Sequence, residues 1–517
     1  MKSMPAIAKT RKQHKPKAGD EGRALRADPV AVPHPLPASR RLLFSFLLAL
    51  IILYPVWFAI HYRGVYDPDI WWHLRTGQWI LEHKSIPHLD LFSTLRGKSW
   101  VPYSWTFDVV MALLYRDFGY FGVFVLYPVS MALAIAAVTV AMVRRLRTGP
   151  AASLAATAAV LVAISPIFAP RPGLISVLFF AVQLWLLLSV SQSGSLRGLA
   201  VLPALYLLWA NVHVQFIYGL AALGLFAAAP LAHRLWPRFE SAEEPALRTR
   251  SAVLLGCVVA TLINPFGLKI YSTILGFATQ YGQWRYLEEL QSPTFRSLNS
   301  YVLLLWIFAA WLLVGRNRTV WRWQTVLLLC GCLVAFRQVR DIWLAALAGL
   351  CAMRPESNSD LTVDPAGGPA QRLPLYSWVT ASLVIVGTLI VGALHPLSQT
   401  GLEADIADEF PVKAAAYVRQ HISRGTIYCD LTWGGFLLWT VPDMQVSLDS
   451  RTSVHSDLQV ERAMAVWSGV RDWASDPELL SARVVVANPS QPLTSLLRLD
   501  PRFRVTYEDG QAVVFER

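Results

Sequence analysis

The sequence predicts a polytopic α-helical membrane protein that ends in a smaller soluble α/β domain. Three observations predict it. Of the 517 residues, 54% are hydrophobic and only 15% charged, whereas a soluble domain carries nearer a quarter charged residues. Apolar runs of roughly 17 to 22 residues recur through most of the chain, about the length that crosses a bilayer. After residue 403 that pattern gives way to short alternating helical and extended signals.

In chain order, the first 41 residues set Lys2, Lys9, Arg11, Lys12, Lys15, Lys17, Arg23, Arg26, Arg40 and Arg41 against only Asp20, Glu21 and Asp28. They are rich in Pro and Ala and lack hydrophobic periodicity, which predicts a disordered basic tail lying on anionic lipid. Much of the net charge of +12 resides there, so the charge argues for membrane orientation and not for nucleic-acid binding. No cleavable signal peptide is expected, since the first apolar stretch starts late and is long enough to span. The five cysteines lack metal-ligand spacing and read as packing residues.

Leu42 to His61 is the first span, and 62–104 forms a long, aromatic-rich external loop. Within it Asp69 is placed to cap a helix running to about Glu82. Ile70, Leu74, Gly77 and Leu81 share one face, as in a helix lying along the membrane surface. Trp105 to Tyr115 reads as a short amphipathic or re-entrant helix. The second span is about Gly119 to Val143, and others follow near 150–168, 174–191, 198–214, 216–232, 251–265, 300–314, 323–337, 341–353 and 376–394. That gives about eleven spans within 42–396. Arg144, Arg145, Arg147, Arg197, Arg234, Arg238, Arg248, Arg250, Arg316, Arg318, Arg322, Arg354 and Arg372 then fall on the side of the N-terminus. The bias places the N-terminus inside, and an odd span count exports residues 403–517. In a bacterial inner (plasma) membrane this region is periplasmic. There Phe410–His421 reads as a helix, and Thr426–Asp430, Gln445–Asp449, Arg483–Ala487, Phe503–Tyr507 and Ala512–Phe515 read as strands.

The chemistry concentrates on the expected outer face. Asp67-Pro68-Asp69 brings two carboxylates within one residue of each other, able to hold a divalent cation such as Mg or Mn, or to serve as a base and its electrostatic partner. Pro68 restricts the backbone between them. His73 lies one helical turn beyond Asp69 and reads equally as an aid to metal binding or proton transfer and as an interfacial hydrogen-bonding residue. Trp71 and Trp72 read first as interfacial belt aromatics and second as a platform for a sugar or polyprenyl chain. Asp90 and Asp108 are further external carboxylates. Arg171, Asn211, His213, Arg337 and Arg340 fall near the outer ends of later spans, where arginines suit a phosphate or diphosphate. Glu288 and Glu289 are either a second acidic contribution to the cleft or solvated loop charges. In the tail, Trp433-Gly434-Gly435 is a weak phosphate-binding signal, and Asp449-Ser450-Arg451 reads as the rim of a docking or acceptor site.

These residues resemble the GT-C superfamily of polyprenyl-phosphate-sugar glycosyltransferases, and more closely a group of bacterial membrane proteins of GT-C-like architecture. The group's pattern reads here as Asp67 to Ile80, then Pro87-His88-Leu89-Asp90-Leu91-Phe92-Ser93, Arg171-Pro172, Trp209-Ala210-Asn211-Val212-His213, Asn264-Pro265-Phe266-Gly267, Trp433-Gly434-Gly435 and Asp449-Ser450-Arg451. The resemblance covers almost everything after residue 42. It implies that Asp69 or Asp67 activates an acceptor or helps hold a metal. His73, Trp72, Asp90, Arg171, His213, Asn211, Arg337 and Arg340 are the candidate substrate-binding residues. The chain departs from the group at Tyr103-Ser104-Trp105, where His-Glu-Trp is usual, and at Asp108, where Glu is frequent. The expected activity is transfer of a sugar from a polyprenyl phosphate to a periplasmic glycan, lipid or protein. Two alternatives stand beside it: a lipid or solute transporter, and a non-catalytic envelope scaffold.

Overall fold

The computed structural model describes residues 37–62, 64–146, 148–193, 197–235, 247–279, 285–316, 322–353, 375–395, 397–470 and 472–517. All but the last five residues of the basic tail, 1–36, lie outside them. The chain enters through α1 (Ala38–Tyr62) and the loop helix α2 (Asp69–His83). Next come α3 (Trp105–Phe121), a π-turn over Gly122–Leu126 and α4 (Tyr127–Arg145). The helices α5 (Pro150–Ile164), α6 (Gly173–Ser193), α7 (Arg197–Ala200), α8 (Leu202–Val212), α9 (Phe216–Leu235), α10 (Leu247–Thr261) and α11 (Lys269–Thr279) follow. After them come α12 (Leu298–Arg316), α13 (Trp323–Arg337), α14 (Ile342–Ala352) and α15 (Leu375–Ala393).

Among the described residues six helical segments are long and apolar enough to cross a membrane: Ala38–Tyr62, Trp105–Arg145, Pro150–Ile167, Gly173–Val190, Phe216–Leu235 and Leu298–Arg316. Shorter apolar helices occupy Gly198–Val212, Trp323–Arg337 and Ser377–Ala393. Each of the eleven expected spans coincides with a helix, but five of them fall short by length or apolarity. The 41-residue stretch over α3 and α4 is not one straight rod. Gly119 sits at φ 60, outside the helical region, and a Cβ there would meet Gln399 Oε1 at 2.7 Å. That oxygen accepts the Tyr120 N–H at 3.2 Å, so a residue with a side chain would both strain the backbone and strike its partner.

The remainder comprises α16 (Gln399–Glu409), α17 (Val412–His421), β1 (Thr426–Tyr428), α18 (Leu431–Thr440), β2 (Gln445–Val446), α19 (Asp457–Trp467), α20 (Pro477–Ser481), β3 (Val484–Ala487), α21 (Pro492–Leu499), β4 (Arg504–Glu508) and β5 (Val513–Glu516). The strands form one mixed sheet in the order β2-β1-β3-β5-β4, parallel on the β2 side and antiparallel on the β4 side. Each expected strand is present: β1, β2 and β3 are shortened by one to three residues, and β4 and β5 keep their length but begin one residue later.

The sheet does not stand apart from the helices. Loop residue Ser93 pairs in parallel with Val446 of β2, with Thr94 N donating to Val446 O at 2.9 Å. The long first loop therefore extends the sheet edge. Trp71 is fully buried, with its ring 5.1 Å from Phe410, 5.0 Å from Phe436, 6.0 Å from Tyr120 and 5.9 Å from Phe124. One hydrophobic core runs from α1 through this cluster into the sheet. Burying a tryptophan in such a cluster is worth about 3–5 kcal/mol against alanine.

Four sequence readings are corrected here. First, α2 does not lie open on a surface. Ile70, Trp71, Trp72, His73, Leu74 and Thr76 are all buried, because α3 covers one side and α18 the other. Trp71 is accordingly a core residue and not a belt aromatic, while Trp72, also buried, lines the cleft described below. Second, the N–H of Asp69 is accepted by Asp67 Oδ1 at 3.0 Å, so Asp67, not Asp69, satisfies the start of α2.

The third correction concerns the glycine pair. Trp433-Gly434-Gly435 is a packing device: a Cβ on Gly434 would stand 1.9 Å from Leu448 O, and one on Gly435 2.6 Å from Pro68 O. No room for a phosphate exists there. The fourth concerns Asp90 and Asp449-Ser450-Arg451. Arg451 is buried, donating to Asp449 Oδ2 at 2.7 Å and to Asp90 Oδ1 at 2.7 Å, and its guanidinium stacks over Trp100 and Phe92. Asp90 binds Arg451 and the Ser93 hydroxyl and is closed to any substrate.

Candidate functional site

A cleft of about 220 Å³ lies where α2, the corner before α6, the α8–α9 corner and the loop before α14 converge. Its polar end holds Asp67, Asp69, His73, Tyr103, Arg171, His213, Gln215, Glu289 and Arg340. Its other wall is apolar, built from Pro166, Ile167, Ala169, Leu174, Val177 and Trp343. Trp72 and Tyr66 close the cleft along α2 and the turn before it.

Arg171 is the hub. It sits on the short connection between the 3-10 turn Ser165–Ile167 and α6, with its carbonyl accepting the Tyr127 hydroxyl at 2.8 Å. Its Nε and Nη2 grip both oxygens of Asp67, the second at 3.0 Å, in the bidentate geometry that suits a guanidinium. Nη2 also stands 3.9 Å from Asp69 Oδ2, and Nη1 contacts Glu289. Burial alone would lower the pKa of Arg171, but Asp67 and Asp69 outweigh it and hold the cation charged. Arg340 Nη1 lies 3.6 Å from the other oxygen of Glu289. The loop carboxylate is thus shared by two arginines.

Asp67 is 1% exposed and committed to Arg171 and the α2 backbone, whereas the Asp69 side chain is 24% exposed. Asp69 Oδ1 accepts the Trp72 indole N–H at 3.3 Å. Burial, reinforced by Asp67, pushes the Asp69 carboxyl above its ordinary range against the opposing pull of Arg171, Ser450 and Trp72.

The two histidines are wired differently. His73 Nδ1 is 2.5 Å from Asp108 Oδ1, and both side chains are buried. Burial, then His213 and Arg171, hold the His73 pKa well below the usual imidazole value. Burial also raises the Asp108 pKa well above its ordinary value, with Ser104 opposing; with that carboxylate ionised, a neutral His73 carries its proton on Nδ1 and leaves Nε2 as an acceptor. Among the described residues His213 has no carboxylate on Nδ1. Trp209 Nε1 donates to Ser176 Oγ at 2.9 Å, and Ser176 Oγ in turn lies 2.9 Å from His213 Nδ1. Burial and then Arg340 lower the His213 pKa to about 3, with Gln215 opposing. The Tyr103 hydroxyl is held in its protonated form by burial and by Asp69.

Of the residues singled out in the sequence, the cleft gathers Asp67, Asp69, Trp72, His73, Arg171, His213 and Arg340, and also Glu289. It leaves out three of the candidate substrate-binding residues. Asp90 is in the Arg451 cluster. Asn211 accepts the Trp105 indole N–H at 3.2 Å and donates to Leu207 O and Ile263 O. Arg337 ends α13, is exposed and does not line the cleft. Sequence reasoning did not give Tyr103 a role, though its departure from the group pattern marked it. Gln215 and Trp343 carried no signal at all, since both look like ordinary span residues.

A divalent cation does not fit the acidic pair as it stands. Both oxygens of Asp67 are taken by Arg171, whose guanidinium occupies the space between the carboxylates. Among the described residues no group of three or more His, Cys, Asp or Glu side chains could hold a metal ion.

No protein-family model matches the chain, and no curated protein matches it. Among solved structures it is similar to ArnT from Cupriavidus metallidurans bound to undecaprenyl phosphate, at 14% identity and a TM-score of 0.48, covering 93% of this chain and 98% of that one.

Proposed function

We propose that this protein is a glycosyltransferase that moves a sugar from a polyprenyl-phosphate donor to an acceptor outside the membrane. One observation carries the reading: a single cleft joins an apolar wall, from Pro166 to Trp343, to a polar end with two arginines beside a half-open carboxylate. The wall suits the isoprenoid chain, and Arg171 and Arg340 suit the phosphate. Asp69 stands where its charge offsets the positive charge that develops at the anomeric carbon, and the arginines stabilise the departing phosphate. Holding both substrates at the membrane edge supplies much of the remaining rate enhancement.

In this reading the chain is an integral protein of a bacterial inner membrane with eleven spans, the shorter apolar helices included. Its N-terminus is cytoplasmic, and residues 403–517 form a periplasmic α/β domain. The acceptor is a glycan, lipid or protein of the cell envelope. The test is mass spectrometry of lipid-linked sugars and envelope glycans in a deletion strain rescued at matched expression by wild type or by Asp69→Asn. Loss of a glycan with accumulation of its donor, reversed by wild type alone, is the expected result. Equal rescue by both proteins removes Asp69 from the chemistry and favours a scaffold.

A further inference from the structure

The geometry points to His73, held by Asp108, as the group that takes the proton of the acceptor hydroxyl, leaving Asp69 to act through its charge. The inference rests on the transfer reaction proposed above.

Four observations carry it. His73 lines the cleft, and its Nε2 has no hydrogen-bond partner among the described residues. Its Nδ1 is fixed by Asp108 at 2.5 Å, with Ser104 Oγ donating to the same carboxylate oxygen at 3.4 Å. The ring is pinned between Trp72, at a centroid distance of 3.6 Å, and Phe107 at 4.8 Å. Lastly, Asp108 Oδ2 is buried with no hydrogen-bond partner in the described residues. The unpartnered oxygen leaves Asp108 free to offset charge on the ring as the proton moves, against the burial that lowers the His73 pKa and raises that of Asp108.

Asp69 is the competing base: burial and Asp67 raise its pKa, but its oxygens already face Arg171, the Trp72 N–H and Ser450, which leaves them less free to meet an acceptor proton. The other groups facing His73 are Arg171 and His213, which oppose a charge on the ring, while Tyr103, Glu289 and Arg340 complete the polar end.

The step balances. The acceptor O–H bond breaks as its proton passes to His73 Nε2, and the oxygen forms a bond to the anomeric carbon. The bond from that carbon to the phosphate oxygen breaks, and its electron pair leaves on the phosphate, held by Arg171 and Arg340. The imidazolium, paired with Asp108, later returns the proton to water. Asp108 is a positioning residue.

The experiment uses the full-length protein in lipid nanodiscs, with the lipid extract of the deletion strain as donor and disappearance of its lipid-linked sugar as readout. His73→Gln is expected to slow the reaction at least about 100-fold, the scale of a lost general base, with half-saturation by donor unchanged. Asp108→Asn is expected to slow it at least about tenfold. Added imidazole is expected to restore part of the activity of His73→Ala and none of that of Asp69→Asn. In parallel, diethylpyrocarbonate on the donor-free protein is expected to modify Nε2 of His73, mapped by mass spectrometry against exposed His83 and His421. Activity of folded His73→Gln within threefold of wild type overturns the inference, as does a His73 that resists the reagent while His83 and His421 react. If wild type consumes no donor, the transfer reading fails on its own, and the labelling still decides whether His73 is an open base.

Discussion

Arg451 and Asp90, 361 residues apart in the chain, bond at 2.7 Å in a site closed to solvent. Asp449 completes the triad from the other side of the guanidinium. A buried charge cluster is a costly way to gain stability, but removing one partner strands the others. Arg451→Met is therefore expected to destabilise the junction between first loop and sheet by about 3–5 kcal/mol. The check is limited proteolysis together with thermal melting in nanodiscs: cleavage within residues 85–100 should appear at lower temperature than in wild type.

The same triad gives a sign for acid. Burial alone would raise the Asp449 pKa, but Arg451 and His455 more than reverse this and hold the carboxyl far below its ordinary value. A depressed carboxyl pKa contributes stability that is fully present above about 3.9 and lost only as pH falls through the folded value. The junction is expected to be as resistant to protease at pH 5 as at pH 8.

His213 has the opposite consequence in the same range. Its pKa in the folded protein is about 3, against about 6.5 in an unfolded chain. Between those values the unfolded state binds the extra proton, so stability is lost as pH falls from about 6.5 toward 3. The loss at pH 5 is about 2 kcal/mol at most, and His213→Gln should remove that slope from melting curves recorded between pH 5 and 7.

Gly435 is a contact between two distant parts of the chain. With only 2.6 Å available between a Cβ and Pro68 O, Gly435→Val must push α18 away from the start of α2. Donor consumption is expected to fall at least tenfold while circular dichroism of the sheet is unchanged. Retained activity would show that the placement of Asp67 and Asp69 does not depend on α18.

Arg171 fills the position a divalent cation would need between Asp67 and Asp69. Chelation with EDTA is expected to leave donor consumption within twofold of untreated protein. Arg171→Lys keeps the charge but loses the bidentate fork, and is expected to cost at least about tenfold.

The helices, the strand positions and the acidic end of the cleft were legible in the sequence because each rests on local periodicity or on charges near span ends. The Asp67-to-Arg171 meeting follows from both lying at outer ends. Other relationships were not legible because they depend on tertiary contact. Trp71 has the composition of a belt residue, and only the cover supplied by Phe410 and Phe436 makes it core. Asp90 looks like Asp69 in sequence, and the difference is made by Arg451. The pairing of His73 with Asp108 spans two helices whose register is set by Gly77, where a Cβ would lie 2.0 Å from Asp108 O. No spacing rule along one segment reports such a fit.

The strand-like pairing of Ser93 with Val446 bears on the order in which the protein becomes competent. During synthesis the acidic pair and most of the cleft are made first, while the edge that seats their loop and the arginine that locks it are made about a hundred residues or more after the last cleft residue. Until that late segment arrives, the loop has helices behind it and nothing in front. The chain thus assembles its reactive residues early and positions them last, so a product cut short before β2 carries the acids without the scaffold that aims them.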